Sequence, residues 1–221
     1  MTSTAVAAGV LAYPAESVVV LAGIPGAGKS TLLRRVFPAA SAVRVLDSAT
    51  TRDEWRPVLG GVPYGVWRPL VHLTYYVRVV LAIRRGGPLV IHDCATRPVA
   101  RRLIGWAART AGLPVHLIML DVPEEVARRG QEDRKRVVRE ASMANHSRRW
   151  PELVKQAAED PGLVVPGAVT AVVLSRGQAD QVREIVFTTE SGTADRHADG
   201  QQRRARVEEA LLTPAGVRPS A

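Results

Sequence analysis

The chain has a single cysteine, Cys94, in 221 residues. That excludes an intrachain disulfide framework and fits a reducing, cytoplasmic setting. Lysine is almost as scarce. Residues 29, 135 and 155 are the only three, so arginine supplies the rest of the 30 basic residues and most of the +9 net charge. A bias of that extent reflects a G+C-rich coding genome, and total charge therefore says little about partners. Its clustering between Arg128 and Arg149 is more informative. Asparagine occurs once, at Asn145 before His146, which excludes the Asn-Lys-x-Asp element that reads guanine in GTPases. No membrane span is expected, because the longest apolar run, Val66–Ile83, carries Arg68, Pro69, His72 and Arg78. The opening "MTSTAVAAGVLAYPAES" has no basic segment ahead of its broken apolar run. It reads as a flexible leader over residues 1–14, without a secretory signal. No internal repeat is present.

What the chain does have is short valine- and leucine-rich runs alternating with longer helical patterns. Strands are expected at Ser17–Ala22, Ala42–Leu46, Leu89–His92, Val115–Leu120 and Val169–Leu174. Helices are expected near Lys29–Val36, Val66–Arg85, Val99–Ala111, Pro123–Gln131, Ala141–Glu159 and Gln178–Val186. Strands that are apolar without alternation are buried on both faces, which with intervening helices implies a parallel sheet covered on both sides. A 46% hydrophobic composition suffices for one core, placed at residues 15–187. Residues 188–221 read as a polar, disordered tail, with one short helix around Gln201–Leu212.

The stretch "GIPGAGKST", directly behind "SVVVLA", fits G-x-x-x-x-G-K-[ST] from Gly23 to Ser30. Backbone N–H groups converging on an anion require glycine where a side chain would clash or φ is positive. The nucleotide-binding set is therefore Gly23, Gly26, Ala27, Gly28, Lys29, Ser30 and Thr31. Lys29 reaches the β- and γ-phosphates of ATP, the Ser30 hydroxyl serves Mg²⁺, and the following helix directs its N-terminus at the charge. "LSRGQ" (Leu174–Gln178) imitates an ABC-transporter signature but lacks the strand ending in Asp-Glu that should follow, so it reads as a strand end plus turn. Asp93 follows "LVIH" as a Walker-B-like acid. It either holds Mg²⁺ through water or caps the following turn. His92 falls on the opposite side of that strand and reads as packing. Arg68, His72 and Tyr75 or Tyr76 share one helical face, which either lines a pocket or is the helix's wet side.

The chain resembles P-loop kinases of the zeta-toxin, chloramphenicol-phosphotransferase and polynucleotide-kinase type, and short bacterial proteins called AAA family ATPases. The likeness spans residues 17–187. It rests on "GIPGAGKST", "VLDSATTR", "LVIHDCATR" and an arginine-rich stretch after the fourth strand. It implies a three-layer α/β P-loop NTPase of the nucleoside-kinase-like kind, with a five-stranded parallel sheet, helices on both faces and an arginine-rich lid. It also implies that Asp47 orients or deprotonates an acceptor hydroxyl, and that Arg52 (or Arg56) and Arg97 bind substrate. The rival for Asp47 is a helix N-cap; for Arg52 it is a solvated surface residue.

The run "RRGQEDRKRVVR" (128–139) holds six cations. Arginine from a closing segment stabilises charge on a transferring phosphoryl group, and Arg134 and Arg136, at the run's centre, are the catalytic candidates. An ordinary solvated face is the alternative. The expected activity is transfer of the ATP γ-phosphate to a hydroxyl of a small molecule, a nucleotide or a nucleic-acid 5′ end. The alternatives are an ATP-hydrolysing regulatory switch without an acceptor and, more remotely, a nucleic-acid binder without chemistry.

Overall fold

Strands apolar on both faces are stable only between two helical layers, and that requirement organises this fold. The computed structural model describes residues 9–38, 42–133 and 138–189. It begins with β1 (Val10–Pro14), β2 (Val18–Gly23), α1 (Lys29–Val36), β3 (Arg44–Asp47), α2 (Ser48–Leu59) and α3 (Tyr64–Arg84). It continues with β4 (Leu89–His92), α4 (Pro98–Thr110), β5 (Val115–Leu120), α5 (Glu124–Glu132) and α6 (Glu140–Glu159). It closes with α7 (Pro161–Val164), β6 (Ala168–Leu174), α8 (Arg176–Gln181) and β7 (Glu184–Thr188).

The main sheet has the order β3-β4-β2-β5-β6, and all its pairings are parallel. Every residue of β2 and β5 is buried, which makes this central pair the floor of the core. The chain leaves β2 toward β3 and β4 on one side, then crosses to β5 and β6 on the other. The carboxyl end of β2 is thus a topological switch point, where open parallel sheets hold their ligands. Gly23, Asp47, His92 and Leu120 close their strands at this same end.

Three expectations need correction. The leader's last residues form β1, with Leu11 and Tyr13 buried, and β1 pairs with β7 in a separate two-stranded sheet. The helix expected over Gln178–Val186 stops at Gln181, and β7 begins at Glu184; "EIVFT" is β-branched and aromatic, a composition suited to a pleated, half-buried surface. Finally, α2 occupies the segment read only as a substrate motif. Thr51 is its one buried residue and Pro57 lies inside it, so it carries little apolar periodicity to read. Residues 1–8 and 190–221, most of the expected leader and tail, lie outside the described residues. No helix among the described residues is long and apolar enough to cross a membrane.

Candidate active site

The loop after β2 is shaped by its glycines. Gly26 has φ +92° and Gly28, which opens α1, has φ +102°. A Cβ on Gly26 would lie 2.0 Å from the Ala127 carbonyl oxygen, and one on Gly28 would lie 2.7 Å from the Arg176 guanidinium. Both positions therefore need a left-handed backbone, and at Gly26 the Ala127 backbone also leaves no room for a side chain, whereas at Gly28 the Arg176 side chain would have to move aside. The Ala27 N–H donates to the Ile24 carbonyl, and the Thr31 N–H to that of Gly28. Lys29 is buried and donates to the carbonyls of Gly23 at 2.6 Å and Ile24 at 3.1 Å. Its ammonium is thus folded back onto the loop it would serve. The Ser30 hydroxyl, in the first turn of α1, makes no hydrogen bond among the described residues.

On the neighbouring strands, Asp47 and His92 are in direct register. Registered residues on adjacent parallel strands point to the same side, so His92 faces Asp47 while alternating away from Asp93. His92 Nδ1 lies 2.8 Å from Asp47 Oδ2. The distance is that of a charge-assisted hydrogen bond, although the angle falls outside strict geometry and leaves Nδ1 without a formal partner. Asp47 Oδ1 accepts from the Ala49 N–H at 2.8 Å, so Asp47 is also the N-cap of α2. Burial pushes the Asp47 carboxyl up, but the His92 contact and charge, the Ala49 N–H and the Lys29 charge outweigh it and hold the group below the usual carboxylate range. The packing role expected for His92 is corrected accordingly.

Asp93 is built similarly. Its Oδ1 accepts from the Ala95 N–H at 2.7 Å and its Oδ2 from the Tyr76 hydroxyl at 3.0 Å. The next tyrosine inward, Tyr75, is buried and donates to the His92 carbonyl at 2.8 Å. Consecutive tyrosines thus pin α3 to the end of β4. Further along α3, Arg68 Nε donates to His72 Nε2 at 3.3 Å, and the His72 and Tyr76 rings stack. The face of Arg68, His72 and Tyr76 is therefore turned toward the site. From the other side, His146 Nδ1 lies 2.7 Å from the Thr96 hydroxyl, and Arg149 donates to the Thr96 carbonyl. Burial, then the charges of Arg97 and Arg68, push His72 down to about 4. His146 is pushed to the same value by burial, Lys29 and Arg97. Both imidazoles are neutral at neutral pH. Burial raises the Cys94 thiol, which leaves it protonated and unsuited to nucleophilic work.

The predicted residues divide three ways. Lys29, Asp47, Asp93 and Arg97 lie at the same end of the sheet, at the start of α1, the end of β3 and the turn after β4. Arg52 stands apart on α2, its guanidinium on the adjacent Asp53 at 2.8 Å. Arg134 and Arg136 lie outside the described residues. Within the same run, Arg128 is engaged by Glu124 and Glu140 on the surface, so it belongs to a solvated face. Reading by sequence also missed Gln131. Its buried amide donates to the Pro25 carbonyl and accepts from the Val138 N–H, tying the phosphate loop to both ends of the arginine-rich run. Arg176, over Gly28, was missed as well; it sits in "LSRGQ", and its Nε pairs with Asp180.

Residues 18–155 match the AAA domain family. The chain belongs to that family. With a nucleotide-binding loop, a kinase-type sheet order and this membership, it is a P-loop protein of the kinase or ATPase kind. No curated protein sequence matches it. Among solved structures, the chain is similar to one from the PezAT chromosomal toxin–antitoxin system of Streptococcus pneumoniae. That match has 16% identity, 91% coverage of this chain, 89% of the other and a TM-score of 0.55. A protein of Chloroflexus aurantiacus J-10-fl described as a candidate kinase is 14% identical, with 89% and 98% coverage and a TM-score of 0.52. At these identities the likeness establishes the shared fold of this AAA family member.

Proposed function

We propose that the chain transfers the γ-phosphate of ATP to an acceptor hydroxyl, of a small molecule, a nucleotide or a nucleic-acid 5′ end. The observation that carries this reading is the Asp47 carboxylate, which His92 and the Ala49 N–H hold at the end of β3.

In the reaction, the acceptor oxygen forms a bond to the γ-phosphorus as the bond from that phosphorus to the β-bridging oxygen breaks, releasing ADP. The hydroxyl proton passes to Asp47. A carboxylate of lowered pKa is a weak base, and that is adequate where the transition state is loose and the proton leaves late. Lys29 turns from the Gly23 and Ile24 carbonyls to the β- and γ-phosphates. The donor set fits Mg²⁺, a hard cation that keeps part of its water shell: Ser30 offers an unengaged hydroxyl and Asp93 a carboxylate with remaining lone pairs. When bound, Mg²⁺ neutralises charge on the β- and γ-phosphates.

The test is transfer of label from γ-labelled ATP across 5′-hydroxyl oligonucleotides, nucleosides, nucleotide sugars, sugar acids and hydroxylated antibiotics. The expected result is one acceptor class labelled and ATP turnover stimulated by it. Steady conversion of ATP to ADP and phosphate with no acceptor labelled would contradict the proposal.

A further inference from the structure

The cations around the switch point fall into two groups. Near α8, each is satisfied by the protein itself: Lys29 by loop carbonyls, Arg35 by the carbonyls of Ala179 and Val182 with Asp180 nearby, and Arg176 by Asp180. On the β3–β4 side the opposite holds. Arg68 and Arg97 are half-buried, and among the described residues neither makes an ion pair. Arg68 gives one N–H to a neutral imidazole. The Arg97 guanidinium, at the N-cap of α4, makes no hydrogen bond among the described residues.

Neither nearby acid pairs with them: Asp47 is held by His92 and the Ala49 N–H, and Asp93 takes its hydrogen bonds from Tyr76 and Ala95. Arg68 lies against His72, whose ring stacks on Tyr76, and the Tyr76 hydroxyl reaches Asp93; Arg97 follows in the same turn after β4, at the N-cap of α4. Partly desolvated cations without a direct ion-pair partner are costly, and a planar guanidinium is matched best by a carboxylate or a phosphate.

We infer that the acceptor is a small hydroxylated anion whose carboxylate or phosphate seats between Arg68 and Arg97. The inference rests on the phosphotransfer reading above and gives that acceptor a chemical class. Arg68 comes from α3 and Arg97 from the turn after β4, the elements that also carry Tyr76 and Asp93. An anion held there is beside Asp47 and Asp93 rather than over the phosphate loop. The neutral rings of His72 and His146 and the Thr96 hydroxyl add hydrogen-bonding groups for the acceptor's hydroxyls without adding charge. The shelter of both arginines suits a compact ligand better than a polymer backbone.

The test keeps the nucleotide phosphates out of the question. The full chain is saturated with Mg²⁺ and a non-hydrolysable ATP analogue, which fills the β- and γ-phosphate positions, and inorganic phosphate or acetate is titrated in by calorimetry. At least one of the two anions should bind at one site, and the pair of titrations tells phosphate from carboxylate recognition. Arg68→Ala and Arg97→Ala should each weaken that binding roughly 10–100-fold, the loss expected for a charge-assisted hydrogen bond. The analogue should bind both variants as it binds wild type, which also reports that they are folded. Arg97→Gln repeats the test with the start of α4 less disturbed. Binding of the analogue without either anion, or anion binding unchanged in all the variants, would overturn the acceptor class. Failure of wild type to bind the analogue would overturn the phosphotransfer reading itself.

Discussion

The two halves of the site, either side of the β2 carboxyl end, are built on different logic. The nucleotide half is one contiguous loop whose cation is parked on its own carbonyls. The acceptor half draws Asp47 from β3, His92 from β4, Arg68, His72 and Tyr76 from α3, Asp93 and Arg97 from the β4–α4 turn, and His146 from α6. The first half must grip a phosphate chain that is the same in every nucleoside triphosphate. A local backbone motif suffices for that task. In the proposed reaction the second would recognise a particular acceptor, with side chains from elements far apart in sequence.

Substitutions in the two halves should therefore separate binding of nucleotide from transfer. The largest effect is expected in the nucleotide half. Lys29→Ala should abolish turnover, a loss of at least about 10²–10³, and weaken ATP–Mg²⁺ binding measured by calorimetry. Binding at wild-type strength would break the assignment of the loop. A smaller effect belongs to the acceptor half. His92→Gln removes an oriented partner of Asp47 and should lower phosphate transfer about tenfold with nucleotide affinity unchanged. A matching loss of nucleotide affinity would show that His92 acts through the fold and not through Asp47.

The smallest effect concerns stability alone and is tested at a residue outside both halves. His116 is buried, bonded to the Thr170 hydroxyl and packed against Tyr13, and burial pushes it down to about 4. His72 and His146 are lowered to the same region. A histidine whose folded pKa lies below its unfolded value of about 6.5 favours folding while neutral. Below that value the unfolded chain binds the proton first. Stability should therefore be full near pH 7 and fall as pH drops from about 6.5 toward 4. Urea unfolding across this window should show a shallower decline in His116→Gln than in wild type. Parallel declines would mean that His116 titrates normally in the fold.

The same contrast explains what could be read from sequence. The central strands β4, β2 and β5 were legible because burial on both faces leaves an unbroken apolar run, as in "VVVLA" and "VHLIML", whereas the edge strands β3 and β6 are only partly buried. The phosphate loop was legible because its chemistry is local. His92 was misread because alternation was counted against Asp93, its chain neighbour, whereas the functional relation is lateral, to Asp47 in register on the next strand. Pairing of β1 with β7 was hidden by the more than 160 residues that separate them. The pair of Arg68 and Arg97 was hidden for a further reason. An unpaired cation is visible only once every nearby carboxylate has been assigned a partner.

Asp47 carries the central claim, and Asp47→Asn tests it most directly. The substitution keeps the size of the side chain and the bond from Ala49, but it cannot take up the acceptor's proton. With the acceptor identified from the transfer panel, acceptor phosphorylation and acceptor-free ATP hydrolysis are measured side by side in Asp47→Asn and Asp93→Asn. The account predicts that Asp47→Asn lowers transfer by roughly 10²–10⁴ while ATP affinity stays near wild type. Transfer that survives Asp47→Asn intact and is lost in Asp93→Asn would contradict it and move the base to Asp93.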